Sequence, residues 1–429
     1  MGEAFLGIDF GTSGARCSVI DDHAALLYTA QIDLPPSEED PKAAQVWREV
    51  LFDLIAGIPL PIRSILGAIA IDGTSGTALL CDQQGRPLLP PLPYNDDRAL
   101  SEVEALADIA PPDHITLSAS SSLAKLMWFS KQSQFRSAHH FLHQADWLAA
   151  QLHGTLGMSD YHNSLKLGYD AAALCYPEWL LALPIQPLLP QVVAPGTIIG
   201  TVLPEMEKIL GLPSACQIRA GTTDSIAAFL ASGASQPGEA VTSLGSTLVL
   251  KLLSTTRVDA AAYGIYSHRM GELWLAGGAS NSGGAVLKQY FDQHELEALS
   301  AQIDPRISSP YDYYPLPKSG ERFPINDPAL APRLMPRPEK RVEFLHGLLE
   351  SMARIEAQGY RLLQQLGATA PSRILTAGGG ARNPAWTAIR KRLLGLPVSA
   401  AEQTEASYGA AQLAARGTDL LCLPDSGHW

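Results

Sequence analysis

Two carboxylates stand in sequence settings that could bring them close to phosphate. Asp9 opens the run Asp9-Phe10-Gly11-Thr12-Ser13-Gly14, and Asp224 closes the run Ala220-Gly221-Thr222-Thr223-Asp224. The first run lies between two strand patterns, Phe5 to Ile8 and Ala15 to Ile20. Glycines at such a turn let successive backbone N–H groups point into one concavity, which suits phosphate oxygens. A carboxylate beside phosphates repels them unless a cation lies between, so this reading brings Mg²⁺ to Asp9, held through water. The same residue types also build a plain hairpin turn. Asp224 precedes the apolar helical pattern Ile226 to Ala231. There it either serves the helix start as a first-turn carboxylate or orients a hydroxyl and accepts its proton.

Further glycine turns and a polar cluster extend the candidate chemistry. Gly245-Ser246-Thr247 repeats the strand, small polar turn, strand arrangement of the N-terminus, so two turns could hold one polyphosphate. Gly378-Gly379-Gly380 permits close approach of a flat group such as a nucleobase. Asn383, followed by Pro384 at the first helical position, is either a helix cap or a base contact. The triplet lacks the G-x-G-x-x-G spacing of a dinucleotide fingerprint. Asp72, Ser75, Asn95, Asp96, Asp97 and Arg98 offer paired donors and acceptors of the kind that line a sugar site, with Tyr94 as a flat wall.

These residues need strands and helices to place them. Strand patterns fall at 5–8, 15–20, 68–71, 77–81, 240–244, 248–252, 273–276 and 374–377, and helical ones at 99–109, 120–131, 144–152 and 339–365. The alternation predicts two related α/β lobes, each offering a glycine turn toward a shared cleft. The Pro-rich stretch 305–338 reads as a surface excursion. The small residues Ala406, Gly409 and Ala410 would let a C-terminal helix pack closely.

Composition narrows the partners. The 429 residues are 46% hydrophobic and 17% charged, which belongs to a folded chain of more than one domain. Net charge is −12, and no Lys/Arg block suggests a nucleic-acid surface. No apolar run approaches a membrane span, and no signal-peptide pattern opens the chain. The expectation is no nucleic acid, no membrane and a cytoplasmic or other reducing compartment. Cys17, Cys81, Cys175, Cys216 and Cys422 are widely spaced, as buried structural thiols would be.

Taken in order, these segments resemble the FGGY family of carbohydrate kinases, in its xylulokinase-like and ribulose kinase branch. The resemblance rests on Leu6 to Ser13 with Arg16; Tyr94-Asn95-Asp96-Asp97-Arg98; Ser120 to Trp128; Gln144-Ala145-Asp146-Trp147; and Ser159-Asp160-Tyr161 through Tyr169-Asp170. It continues through Pro195 to Gly200, Ala220 to Asp224, Ser243 to Thr247, Thr376 to Asn383 and Glu405 to Ala411. It implies two actin/hexokinase-like (ribonuclease H-like) lobes flanking a central cleft, with ATP and Mg²⁺ as cofactors. It implies Asp224 as catalytic base, and Asp72, Ser75, Asn95, Arg98 and Asp224 as the sugar site. It implies that Asp9 organises Mg²⁺, that Gly11, Thr12, Ser13, Gly245, Ser246 and Thr247 face phosphates, and that Gly378, Gly379 and Asn383 border adenosine. The sugar-binding lobe would be 1–228 with 402–429, and the nucleotide-binding lobe 229–401. Tyr94 stands where the family has Trp, and Gly73-Thr74-Ser75-Gly76 replaces a xylulokinase-like Gln-Met-His. The expected substrate is D-ribulose, ahead of D-xylulose or another polyol; an ATP hydrolase with a weak sugar site is the rival.

Overall fold

A strand buried at every residue must be covered on both faces, and β1 (Ala4–Phe10) is such a strand. The computed structural model describes residues 2–35 and 42–421. These divide into two units, 2–231 with 405–421, and 232–404.

In the first unit, β1 is followed by β2 (Gly14–Asp21), β3 (Leu26–Asp33), α1 (Ala43–Gly57), α2 (Leu60–Arg63), β4 (Leu66–Gly73) and β5 (Ala78–Cys81). Next come α3 (Leu100–Ala107), α4 (Ser122–Ser130), β6 (His140–His143), α5 (Gln144–His153), β7 (Met158–Asp160), α6 (Glu178–Leu181) and β8 (Gln191–Val193). The run closes with β9 (Ile198–Thr201), α7 (Pro204–Leu210), β10 (Gln217–Thr223) and α8 (Asp224–Ala231). The main sheet has the order β3-β2-β1-β4-β10-β9, with β1, β4 and β10 parallel. Side chains alternate across it. Leu6, Ile8 and Phe10 enter a core with Leu51 and Leu54 of α1 and Leu148 of α5. Phe5 points the other way, toward Ala231, Tyr408 and Ala411.

The second unit holds β11 (Glu239–Leu244), β12 (Leu248–Ser254), β13 (Tyr266–Met270), β14 (Leu273–Ser280), α9 (Gly284–Tyr290) and α10 (Gln293–Ser300). It continues with α11 (Arg341–Gln365), β15 (Arg373–Ala377), α12 (Pro384–Leu394) and β16 (Val398–Ala400). Its sheet order is β13-β14-β12-β11-β15-β16. Each sheet thus has a hairpin-linked antiparallel part followed by parallel strands, and each carries one extra edge strand. Alternate residues Leu248, Leu250 and Leu252 of β12 meet Leu345, Leu348 and Met352 of α11. Beneath the turns at the strand ends, Arg390 donates to Glu356 and Thr376, and Thr242 donates to Glu356, all fully buried.

The chain then returns to the first unit as α13 (Ala406–Arg416), which lies on β1 and α8. Gly7 makes this possible, since a Cβ there would lie 2.1 Å from Ser407 O and Ala411 N.

Two expectations need correction. The stretch 305–338 is more than a surface excursion, because Tyr313, Leu316 and Phe323 are buried and Phe323 packs where Gly278 and Gly359 leave space. Its aromatics anchor a segment that its prolines keep irregular. Cys175 is exposed, whereas Cys17, Cys81 and Cys216 are buried; Cys422 and residues 422–429 lie outside the described residues.

Candidate functional site

The parallel register of the first sheet explains why carboxylates gather at its carboxyl edge. Asp9 on β1 pairs with Asp72 on β4, and Asp72 pairs with Thr222 on β10, two residues before Asp224. Ligands of parallel α/β sheets sit at this edge, where strands hand over to turns and helix starts. Asp224 begins α8, and its Oδ1 accepts the Ser225 N–H at 2.6 Å.

Asp72 was expected among the sugar-lining groups, but it lies inside β4, fully buried beside Asp9. Its strand runs two residues further than the apolar run Ala68 to Ile71 suggests. No donor among the described residues reaches either Asp72 oxygen. Burial, the Asp9 charge and the Asp224 charge together hold its pKa well above the usual carboxylate range. Burial also raises Asp9, assisted by Asp224 and Glu405 and opposed by Arg16, whose guanidinium lies 3.8 Å away.

A buried carboxyl without donors, next to two others, is neutral unless a cation joins it. The residues therefore fit a cation such as Mg²⁺. Among the described residues no group of three or more His, Cys, Asp or Glu is arranged to grip a metal ion.

The Asp72 proton has a stability consequence. A carboxyl raised in the folded state contributes its extra stability below the unfolded value of about 3.9 and loses it as pH climbs through the folded value. Asp72→Asn should therefore flatten the fall in melting temperature from about pH 4 upward, measured without nucleotide or Mg²⁺. A variant that tracks wild type at every pH would show that Asp72 titrates alike in the folded and unfolded chain.

The phosphate-type turns share a local design. Gly11 N–H donates to Gly14 O at 3.0 Å, so it serves the turn itself, while Thr12 and Ser13 are exposed. In the second unit, Gly245 N–H donates to Thr247 O at 3.2 Å. The first N–H groups of α9, from Gly284 and Ala285, donate to Gly245 O and Ser246 O. Gly378 has φ +82, and a Cβ there would meet Leu244 O at 2.7 Å, so the glycine triplet lies against the end of β11 beside this turn. Gly379 faces open space. Asn383 is a cap: its Oδ1 accepts Trp386 N–H and its Nδ2 donates to Ser300 Oγ, which occupies both polar ends.

Asn95 and Arg98 are exposed, and Arg98 is held by both Asp96 oxygens while lying over the Trp128 ring. Ser75 is half-buried in the loop after β4. That loop is pinned from several sides. Thr74 N–H donates to Gln144 Oε1, Lys125 Nζ donates to Gly76 O and Pro93 O, and Lys166 Nζ donates to Ser75 O. Burial pushes Lys125 down to about 7. Sequence reasoning passed over both lysines. Lys125 did leave a signal, a cation inside the apolar helix Leu123-Ala124-Lys125-Leu126.

Ser122, His143 and Asp146 form a chain of contacts at 3.2 and 3.0 Å. The order looks like that of a hydrolytic triad, but all three side chains are buried. With Ser159 also on His143, they fasten α4, α5 and β7 together and present no nucleophile to solvent.

Comparison with known proteins follows the same boundaries. Residues 4–231 match the FGGY family of carbohydrate kinases, N-terminal domain, and residues 240–418 match its C-terminal domain. A xylulose kinase of Staphylococcus xylosus is 22% identical over 443 residues, covering 96% of this chain and 90% of the relative. A xylulose kinase of Escherichia coli is 25% identical over 453 residues, covering 98% and 90%. The crystal structure of a xylulose kinase from Brucella ovis superposes with a TM-score of 0.85 at 24% identity, over 97% of this chain and 91% of that one. The fold is therefore of the actin/hexokinase type. No described helix is long and apolar enough to cross a membrane.

Proposed function

The chain belongs to the FGGY family of carbohydrate kinases, enzymes that transfer a phosphoryl group to a sugar, and we propose that its acceptor is a ketopentose, D-ribulose ahead of D-xylulose. ATP is the phosphoryl donor. The observation that carries the reading is the gathering of Asp9, Asp72 and Asp224 at the carboxyl edge of adjacent parallel strands, with Asp224 opening a helix.

Asp224 orients the sugar hydroxyl and accepts its proton as the oxygen bonds to the γ-phosphorus; the bond to ADP breaks in the same displacement. Thr12, Ser13, Ser246 and Thr247 meet phosphate oxygens, and Gly378 and Gly379 leave room for the adenosine. Mg²⁺, held through water at Asp9 with Asp72 beside it, would neutralise charge on those oxygens. Ser75, Asn95 and Arg98 line the sugar, Arg98 being set in place by Asp96. The first unit is then the sugar-binding lobe and the second the nucleotide-binding lobe.

The choice of sugar rests on the loop after β4. Thr74-Ser75-Gly76 is short and polar where a xylulokinase-like imidazole is absent, and a site that pairs particular hydroxyls rejects an epimer that leaves buried groups unpaired. D-Xylulose is the second reading, supported by the names of the relatives above. ADP release with ATP and D-ribulose, D-xylulose, glycerol or no sugar tests both. D-Ribulose is expected to give the highest kcat/KM. Efficiency about tenfold higher on D-xylulose or glycerol overturns the choice, and ADP release that no sugar accelerates marks a hydrolase.

A further inference from the structure

The loop after β4 is reached by two lysines, and they differ. Lys125 is fully buried and spends its donors on Gly76 O and Pro93 O, which ties that loop to the segment before Tyr94. Lys166 is partly open, and its only described hydrogen bond is a long one of 3.4 Å to Ser75 O. An ammonium carries three donors. Its stem runs over Gly76, where a Cβ would lie 3.7 Å from Lys166 Cδ.

The turn that carries Lys166 is rigidly built. Asp160 accepts the N–H groups of His162 and Asn163 and the Asn163 side-chain amide, the last at 2.6 Å. His162 Nδ1 lies 2.7 Å from Thr222 Oγ1, two residues before Asp224 on the same strand. Lys166 is thus fastened to the strand that presents Asp224; burial lowers its pKa, and the Asp224 carboxylate opposes that shift.

We propose that Lys166 is a specificity-determining residue of the sugar site, donating from Nζ to a sugar oxygen between Ser75 and the hydroxyl held by Asp224. The proposal rests on the sugar-kinase reading above. A fixed, partly buried ammonium with donors to spare, on a turn tied both to the loop after β4 and to the strand that presents Asp224, suits a neutral hydroxylated ligand. The alternative is that Lys166 serves only as countercharge to Asp224, and the two differ in what the substrate feels.

The test uses full-length Lys166→Met and Lys166→Arg, each checked for folding by thermal melting. Kinetics are measured with the best pentulose and ATP, and sugar binding by calorimetry without nucleotide. Loss of a charge-assisted hydrogen bond should raise sugar KM and sugar Kd about ten- to a hundredfold in Lys166→Met, with ATP KM nearly unchanged. Lys166→Arg, which keeps donors and charge, should recover part of the sugar affinity. A folded Lys166→Met with wild-type sugar KM and Kd overturns the proposal, as does a fall in kcat alone, which would mark a countercharge. If Lys166→Met does not fold, Lys166→Arg decides by the same two constants, wild-type values in both overturning the proposal. Wild-type enzyme that binds and phosphorylates no ketose or polyol removes the sugar-kinase reading itself, and this inference with it.

Discussion

Asp224→Asn is expected to lower sugar phosphorylation by about 10²–10⁴-fold while nucleotide binding persists. The substitution is close to isosteric. The amide oxygen can still accept the Ser225 N–H that Asp224 Oδ1 accepts at 2.6 Å, so the start of α8 should hold. What disappears is the negative charge that, in the mechanism proposed above, orients and deprotonates the acceptor hydroxyl. In phosphoryl transfer such a residue mainly positions the nucleophile, so the loss falls on kcat with sugar bound. Repulsion offers a control on folding. The Asp224 charge raises both Asp9 and Asp72, so its removal should leave melting temperature unchanged or higher. Turnover would be read by coupled ADP release and nucleotide affinity by a fluorescent ATP analogue. Near-wild-type turnover would remove Asp224 from the mechanism, and loss of nucleotide binding would move it to the phosphate side.

Sequence carried the local features of this site well and the long-range ones poorly. The turn after Asp9, the glycine triplet before Asn383 and the helix from Asp224 each depend on neighbouring residues, and each forms where residue types call for it. The Asp9–Asp72 pairing depends on the register of two parallel strands 63 positions apart at those residues, which no local pattern encodes. Grouping Asp72 with the sugar-lining residues followed from ending that strand pattern at its last apolar residue, Ile71, although β4 continues through Asp72 to Gly73. Asn383 could be a cap or a base contact by type alone; Ser300, on a distant helix, occupies its amide. Phe323 is similar, since its burial depends on space left by Gly278 and Gly359, far away in sequence. Lys166 is the most instructive omission. A lysine in a polar turn gives no sign of itself until the His162–Thr222 contact brings that turn to β10.

Gly409→Ala should destabilise the first unit by about 3 kcal/mol or more, contrary to what helix propensity predicts. In an exposed helix interior, glycine to alanine gains about 1 kcal/mol. Here a Cβ at position 409 would lie 1.9 Å from Ala227 O and 2.7 Å from Ala227 C, both backbone atoms of α8. Side-chain crowding is usually relieved by a rotamer change, but a helix carbonyl has no such freedom, so α13 must move. It is held on its other side by Gly7 of β1, where a Cβ would come within 2.1 Å of the α13 backbone. Displacement would break Ser18–Ser407 and the bond from Tyr408 Oη to Ala24 O, each 2.8 Å. It would also shift Glu405, which lies 3.8 Å from Arg16, the residue paired with Asp9. A lower urea midpoint is therefore expected to come with weaker Mg²⁺-dependent turnover under conditions where the variant is still folded. A midpoint equal to or above that of wild type would mean that α13 has room to spare, and that glycine at 409 serves some need other than this contact.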